Sequence, residues 1–199
     1  MALLCMVTYL TDSEIFTADL RKTAASLHES FGDEFKVILC CEKEVSTLEE
    51  ESYRIEQRIL PKTTKYRRFI DVLENDDSTY YLSIDNDIQC DFFAVKNFFE
   101  TIKNSEGDIG WGKIKTQEND RLISKLVTVD KMLSHDTLRP LLWKFDVSIS
   151  VPGQIFCLKG NSYRGKLFDM NTFLDDLAIG LYSSNTKKKG ADDACSLRL

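Results

Sequence analysis

Two kinds of segment alternate along the first half of the chain. Short apolar runs are separated by longer stretches in which apolar residues recur every three or four positions. Residues 3–9 are a run of the first kind, ending at Thr8 and Tyr9. Thr11-Asp12-Ser13-Glu14 has the form of a capping box, where a hydroxyl and a carboxylate satisfy the first free amides of a helix. Phe16, Leu20, Ala24, Leu27 and Phe31 then follow at helical spacing, and Gly32 suits the stop. Phe35 to Cys41 is apolar apart from Lys36, as in a strand buried on both faces. Two such runs joined by an amphipathic helix predict a βαβ crossover and a parallel sheet.

The pattern continues with a polar segment at 42–52 and a weaker strand at 53–60, closed by Pro61. Tyr66, Phe69, Ile70 and Leu73 trace one face of a helix starting near Lys65. After a turn at Asn75-Asp76-Asp77-Ser78, residues 79–84 make the strongest strand of the chain, which runs straight into Asp85-Asn86-Asp87. Phe92, Val95, Phe99 and Ile102 mark a further helix, stopped near Gly107. In the second half, 109–114 reads as a short strand, and the mixed stretch through Pro140 has no firm pattern. Residues 147–151 and 154–158 alternate like strands around Pro152-Gly153. A loop over 159–171 and a helix over 172–184 follow, and the segment from 185 reads as a flexible, solvated tail. No proline- or glycine-rich linker divides the chain. The expectation is one α/β domain over 1–184, a three-layer α/β/α sandwich with a mostly parallel central sheet.

Composition narrows the function classes. Of 199 residues, 43% are hydrophobic and 29% charged, which excludes a disordered chain. The net charge of -6 argues against a general nucleic-acid coat. No stretch approaches the roughly 18–20 apolar residues that cross a bilayer. The apolar opening lacks the basic start and small-residue cleavage site of a signal peptide, so it reads as a first strand. The six cysteines show no C-x-x-C spacing, and adjacent Cys40 and Cys41 point to opposite faces of a strand. They read as buried thiols in a reducing compartment, and the expected location is cytoplasmic. His28 and His135 have no partner at metal-ligand spacing.

Chemistry concentrates in three places. Asp85 and Asp87 are two apart after a central strand, and an extended backbone would turn both carboxylates to one face. Two hard oxygen donors suit Mg²⁺ or Mn²⁺; the plainer reading is a turn built from Asp and Asn. Asp175-Asp176 begin the last helix, where acids complement the helix dipole; there they also suit a carboxylate that takes a proton from a hydroxyl. Lys62, Lys65, Arg67 and Arg68 cluster at a helix start and form either a phosphate site or a solvated face. Trp111 and Trp143 are core residues or sugar-stacking platforms, and Lys187-Lys188-Lys189 either end a helix in solvent or touch anionic lipid.

In combination and in order, these parts resemble the nucleotide-sugar glycosyltransferases of the GT-A fold, most closely glycosyltransferase family 2. The likeness runs from about residue 3 to about residue 184. It implies a nucleotide-sugar lobe over about 1–107 and an acceptor lobe over about 108–184. By this resemblance Thr8, Tyr9 and Glu42 hold the nucleotide base. Arg68, seventeen residues before Asp85, matches the family's Arg-Asn element, although Phe69 stands where the Asn is usual. Asp85-Asn86-Asp87 is similar to the metal and diphosphate motif, with Asp87 and Asp85 as ligands and Lys65, Arg67 and Arg68 near the phosphates. Asp176 matches the general base and Asp175 an acceptor contact. The implied reaction is metal-dependent transfer, with inversion, from a nucleoside-diphosphate sugar to a carbohydrate, lipid-linked or protein acceptor. The implied setting is glycan synthesis, at the inner face of a membrane or away from it, by a monomer or a homo-oligomer. The family's late metal-side histidine has no counterpart. That departure keeps open a non-catalytic GT-A-like subunit that binds nucleotide or a partner enzyme.

Overall fold

The computed structural model describes residues 2–11, 15–45, 52–105, 107–112, 122–145, 147, 150–167 and 175–186. Six strands form one sheet: β1 (Leu4–Leu10), β2 (Phe35–Cys41), β3 (Ile55–Ile59), β4 (Tyr80–Ile84), β5 (Ile109–Trp111) and β6 (Ile155–Lys159). Their spatial order is β3-β2-β1-β4-β6-β5. The first four are parallel, β6 runs antiparallel to β4, and β5 antiparallel to β6. Every residue of β1, β2 and β4 is buried, which is why these strands read as unbroken apolar runs rather than alternating ones.

Helices cover both faces. Leu20, Ala24 and Leu27 of α1 (Ala18–Phe31) and Val95, Phe98 and Phe99 of α3 (Phe92–Asn104) pack on Leu4, Met6, Leu82 and Ile84. Tyr66, Phe69 and Val72 of α2 (Lys65–Asn75) pack on the opposite residues of the same strands, Cys5, Val7 and Tyr81. The result is the three-layer α/β/α sandwich that the pattern requires.

Four local expectations change. The first helix starts at Ala18, not at Thr11, because Thr17 is drawn to the turn after β4: its amide and hydroxyl donate to Asn86 Oδ1 (3.2 Å) and Asn86 O (3.3 Å). Residues 12–14 of the proposed capping box lie outside the described residues. In the mixed stretch through Pro140 the described residues, from Leu122 on, are helical: α4 (Leu122–Met132), a π-helical stretch (Leu133–Leu138) and α5 (Arg139–Lys144). The π-helical stretch ends just before Pro140, which has no amide to donate to a regular ladder. Around 147–151 the described residues are not strand, although Val151 is fully buried, and β6 begins at Ile155. The loop after β6 opens with a short helix, α6 (Gly160–Tyr163).

A glycine hemmed in by backbone starts α6. A Cβ at Gly160 would lie 2.8 Å from Tyr81 Cε2 and 2.9 Å from the Ser78 carbonyl oxygen. The backbone contact cannot relax by a side-chain rotation. Gly160→Ala is therefore expected to destabilise the protein by about 1–3 kcal/mol, read as a lowered denaturant midpoint at constant slope.

At the N-terminal edge of the parallel strands, the ammonium of Lys36 pairs with Asp76 and the pair is almost fully buried. Arg164 donates beside it to Leu73 O (2.9 Å) and Tyr81 Oη (2.8 Å). These groups border a polar cleft of about 760 Å³, which also takes in Glu56 and Arg58. The cleft lies at the opposite end of the sheet from Asp85.

Candidate functional site

The connections leaving β1 and β4 lead towards opposite edges of the sheet, β1 to β2 and β4 to β5, so a crevice opens outside their carboxyl ends, the usual ligand position in open α/β sheets. Lys65 reaches it from the first position of α2. The helix start is fixed by Thr64, whose side chain accepts from the Arg67 amide at 3.3 Å. Lys65 Nζ lies 2.6 Å from Asp85 Oδ1, donates to the Gly153 carbonyl at 2.7 Å, and stands 5.0 Å over the Tyr9 ring. Tyr9 Oη is in turn 3.1 Å from Ser83 Oγ. One ammonium thus joins the ends of β1 and β4 to the turn before β6.

Asp85-Asn86-Asp87 does not continue the strand. The Asp85 amide donates to Gln154 O (2.9 Å), and the Ile88 amide returns to Asp85 O (3.2 Å), closing a turn. The expectation that strand alternation brings both carboxylates to one face is therefore corrected. Asp85 meets Lys65 and Asp87 is exposed. Asn86 is buried and carries the turn: its Nδ2 donates to Ile15 O at 2.9 Å, while Oδ1 accepts from Thr17.

The two arginines part company. Arg67 is exposed. Arg68, only 4% exposed, donates to Glu42 Oε1 (2.7 Å), Leu10 O (3.4 Å) and Thr63 Oγ1 (3.3 Å), so it ties the ends of β1 and β2 to α2. Glu42 sits half-buried at the end of β2. Thr8 is wholly buried on the α1 and α3 side of β1, and its Oγ1 has no hydrogen-bond partner. Trp111 and Trp143 meet each other edge to face, with centroids 4.9 Å apart.

Asp175 and Asp176 head α7 (Asp175–Asn185); their side chains lie outside the described residues. The far half of α7 is placed. Tyr163 Oη and Ser183 Oγ are 2.8 Å apart, and the Tyr182 and Tyr163 rings are 5.5 Å apart, at the level of α6. Because α6 follows the end of antiparallel β6, the last turns of α7 lie at the amino-terminal edge of the parallel strands. At 1.5 Å per residue the helix covers about 16 Å.

Sequence reasoning missed Ser83, Thr17 and the backbone oxygens of Ile15, Gly153 and Gln154. Carbonyl groups have no residue-type signal, and only the Pro152-Gly153 turn hinted at them. The cysteines behave as expected: Cys5, Cys40, Cys41, Cys90 and Cys157 are free thiols, and burial pushes Cys40 and Cys90 up to about 12.

The oxygen donors present suit a hard divalent cation in part. Asp87 is an open carboxylate and Asp85 is a second one engaged by Lys65. Mg²⁺ typically takes one or two carboxylates and completes its shell with phosphate and water. Among the described residues no three His, Cys, Asp or Glu side chains converge on one point.

No family model and no curated protein matches the sequence. Solved structures do match the fold. TarS residues 1–349 from S. aureus superposes with a TM-score of 0.61 at 12% identity, covering 92% of this chain and 56% of that one. HddC from Yersinia pseudotuberculosis gives 0.53 at 9% identity, covering 87% and 83%. Glucosyl-3-phosphoglycerate synthase from Mycobacterium tuberculosis, solved with phosphoglyceric acid, gives 0.50 at 14%, covering 80% and 57%. The chain spans little more than half of the first of these. The fold is GT-A-like: a mostly parallel sheet flanked by helices. Among the described residues no helix is long and apolar enough to cross a membrane.

Proposed function

We propose that the protein transfers a sugar from a nucleoside diphosphate to a hydroxyl acceptor, with inversion. The observation that carries this reading is the convergence of Lys65, Asp85 and Tyr9 at the carboxyl ends of β1 and β4, with Asp87 open beside them. The family 2 likeness of the motifs and the GT-A-like fold support it. Tyr9 and Glu42 border the base side, with Glu42 oriented by Arg68, while Thr8 is wholly buried behind β1 and drops out of the base contact. Lys65, with exposed Arg67 on the same helix turn, supplies positive charge where the diphosphate leaves, whereas Arg68 is buried and engaged by Glu42. Asp87 and Asp85, in the turn capped by Asn86, would hold Mg²⁺ or Mn²⁺, which neutralises charge on the leaving phosphate. Asp176 accepts the proton of the acceptor hydroxyl as that oxygen attacks the anomeric carbon from the opposite face. Asp175 contacts the acceptor. In this reading 1–107 serves the donor and 108–184 the acceptor.

A second reading is favoured by the Lys65–Asp85 ion pair, which occupies one of the two carboxylates from within the chain. A GT-A-like subunit that binds nucleotide without transfer would look the same at this point. Titration calorimetry with UDP-, GDP- and dTDP-sugars, with and without Mn²⁺, followed by a transfer assay, separates the readings. Asp87→Ala is expected to abolish the metal-stimulated part of donor binding. Binding indifferent to both metal and substitution would reduce 85–87 to a turn.

A further inference from the structure

Residues 122–145 present their apolar side to solvent and a polar stripe to the protein. In α4 the half-buried positions are Ser124, Thr128 and Lys131, three or four apart and therefore on one face. Thr128 turns its hydroxyl back onto the Ser124 carbonyl at 2.9 Å. The apolar residues point the other way: Leu122, Ile123, Leu126, Val129, Met132 and Phe145 are 53–75% exposed. Soluble proteins rarely leave a contiguous apolar patch beyond a few hundred Å² without a use for it.

The charge on this segment indicates what covers it. Among the described side chains its exposed charges are Lys125 and Lys144 against Asp130, a positive excess in a chain of net charge -6. A second copy would bring the same excess to the contact, whereas an anionic surface complements it. Position adds to this. Trp143 anchors the segment on Trp111, the last residue of β5, whose partner Phe156 pairs with Ser83. The end of the segment around Trp143 therefore lies at the same end of the sheet as Asp85.

We propose that this face docks on the headgroup region of an anionic bilayer, with the helix lying in the membrane plane. Leu122, Ile123 and Leu126 enter the acyl boundary, and Lys125 and Lys144 meet the lipid phosphates. Exposed Asp130 holds the docking depth at headgroup level.

The test is co-sedimentation of the whole chain with phosphatidylcholine vesicles, with and without phosphatidylglycerol. The wild-type protein is expected to pellet with the anionic vesicles and to be released by salt. Ile123→Ser/Leu126→Ser is expected to lower partitioning at least tenfold with an unchanged circular dichroism spectrum, since both side chains are exposed. Lys125→Gln/Lys144→Gln is expected to lower only the phosphatidylglycerol-dependent part. Wild-type protein that stays in the supernatant would overturn the proposal, as would pelleting that the serine variant shares. A wild-type dimer in sedimentation velocity that the serine variant splits would also overturn it, by giving the face to a second copy. None of these readouts uses sugar transfer, so they stand apart from the catalytic reading.

Discussion

Replacing Asp176 with Asn is expected to lower turnover by about 10²–10⁴-fold, the usual worth of a general base, with donor binding retained. Asn keeps the shape of the side chain and can still accept a hydrogen bond from an amide in the first turn, but it cannot take a proton. The competing role, complementing the helix dipole, is worth only about 0.3–1 kcal/mol of stability and nothing in rate. Single-turnover kinetics and a melting curve on one variant therefore separate the two roles. The acidic limb of the pH–rate profile supplies a second readout, because the variant has no carboxylate at 176 to ionise as pH rises. An unchanged single-turnover rate would remove Asp176 as base and leave the acids at 175–176 as a helix start.

The architecture was legible because buried parallel strands write themselves as apolar runs. β1, β2 and β4 are buried along their whole length, and the helices between them carry one apolar stripe each. The segment 122–145 was illegible for the opposite reason. Its apolar residues do not face the core, so no core-facing period exists to be read. In the site, residue types gave the participants, such as Lys65, Asp85 and Arg68, but not their pairings. Arg68 was grouped with Arg67 as a phosphate contact, yet it is buried and ties Glu42 and Leu10 to α2. The Asp85–Asp87 face failed because alternation applies to strands, and here the strand stops at Ile84. What ends it is the turn closed by the Ile88 amide on the Asp85 carbonyl, one rung past the bond to Gln154, which no side-chain pattern records.

The largest stability effect is expected at the other end of the sheet. Lys36 is the one charged residue in β2, and it is 6% exposed; its partner Asp76 is 8% exposed. Burial opposes ionisation of Asp76, but hydrogen bonds from Lys36 and Ser78, including the Ser78 amide at 3.0 Å, outweigh it and hold the carboxyl at about 2. Asp76→Ala leaves the ammonium buried without its counter-charge, and a broken buried pair typically costs about 3–5 kcal/mol. The pH dependence fixes the assignment. A carboxyl held below its ordinary value of 3.8 contributes stability that is fully present above pH 4. That contribution, about 2 kcal/mol at 1.36 kcal/mol per pKa unit, is lost as pH falls through about 2. Wild-type denaturant midpoints should therefore fall over that interval by more than those of Asp76→Asn, which has no proton to gain. Equal slopes in the two proteins would mean that the pair is no stronger when folded than unfolded. Lys36→Met/Asp76→Leu adds a third point: with both buried charges gone, it should recover most of the loss. Recovery there, beside a large loss in Asp76→Ala, would show that the fold needs the match between these two side chains more than it needs their charges.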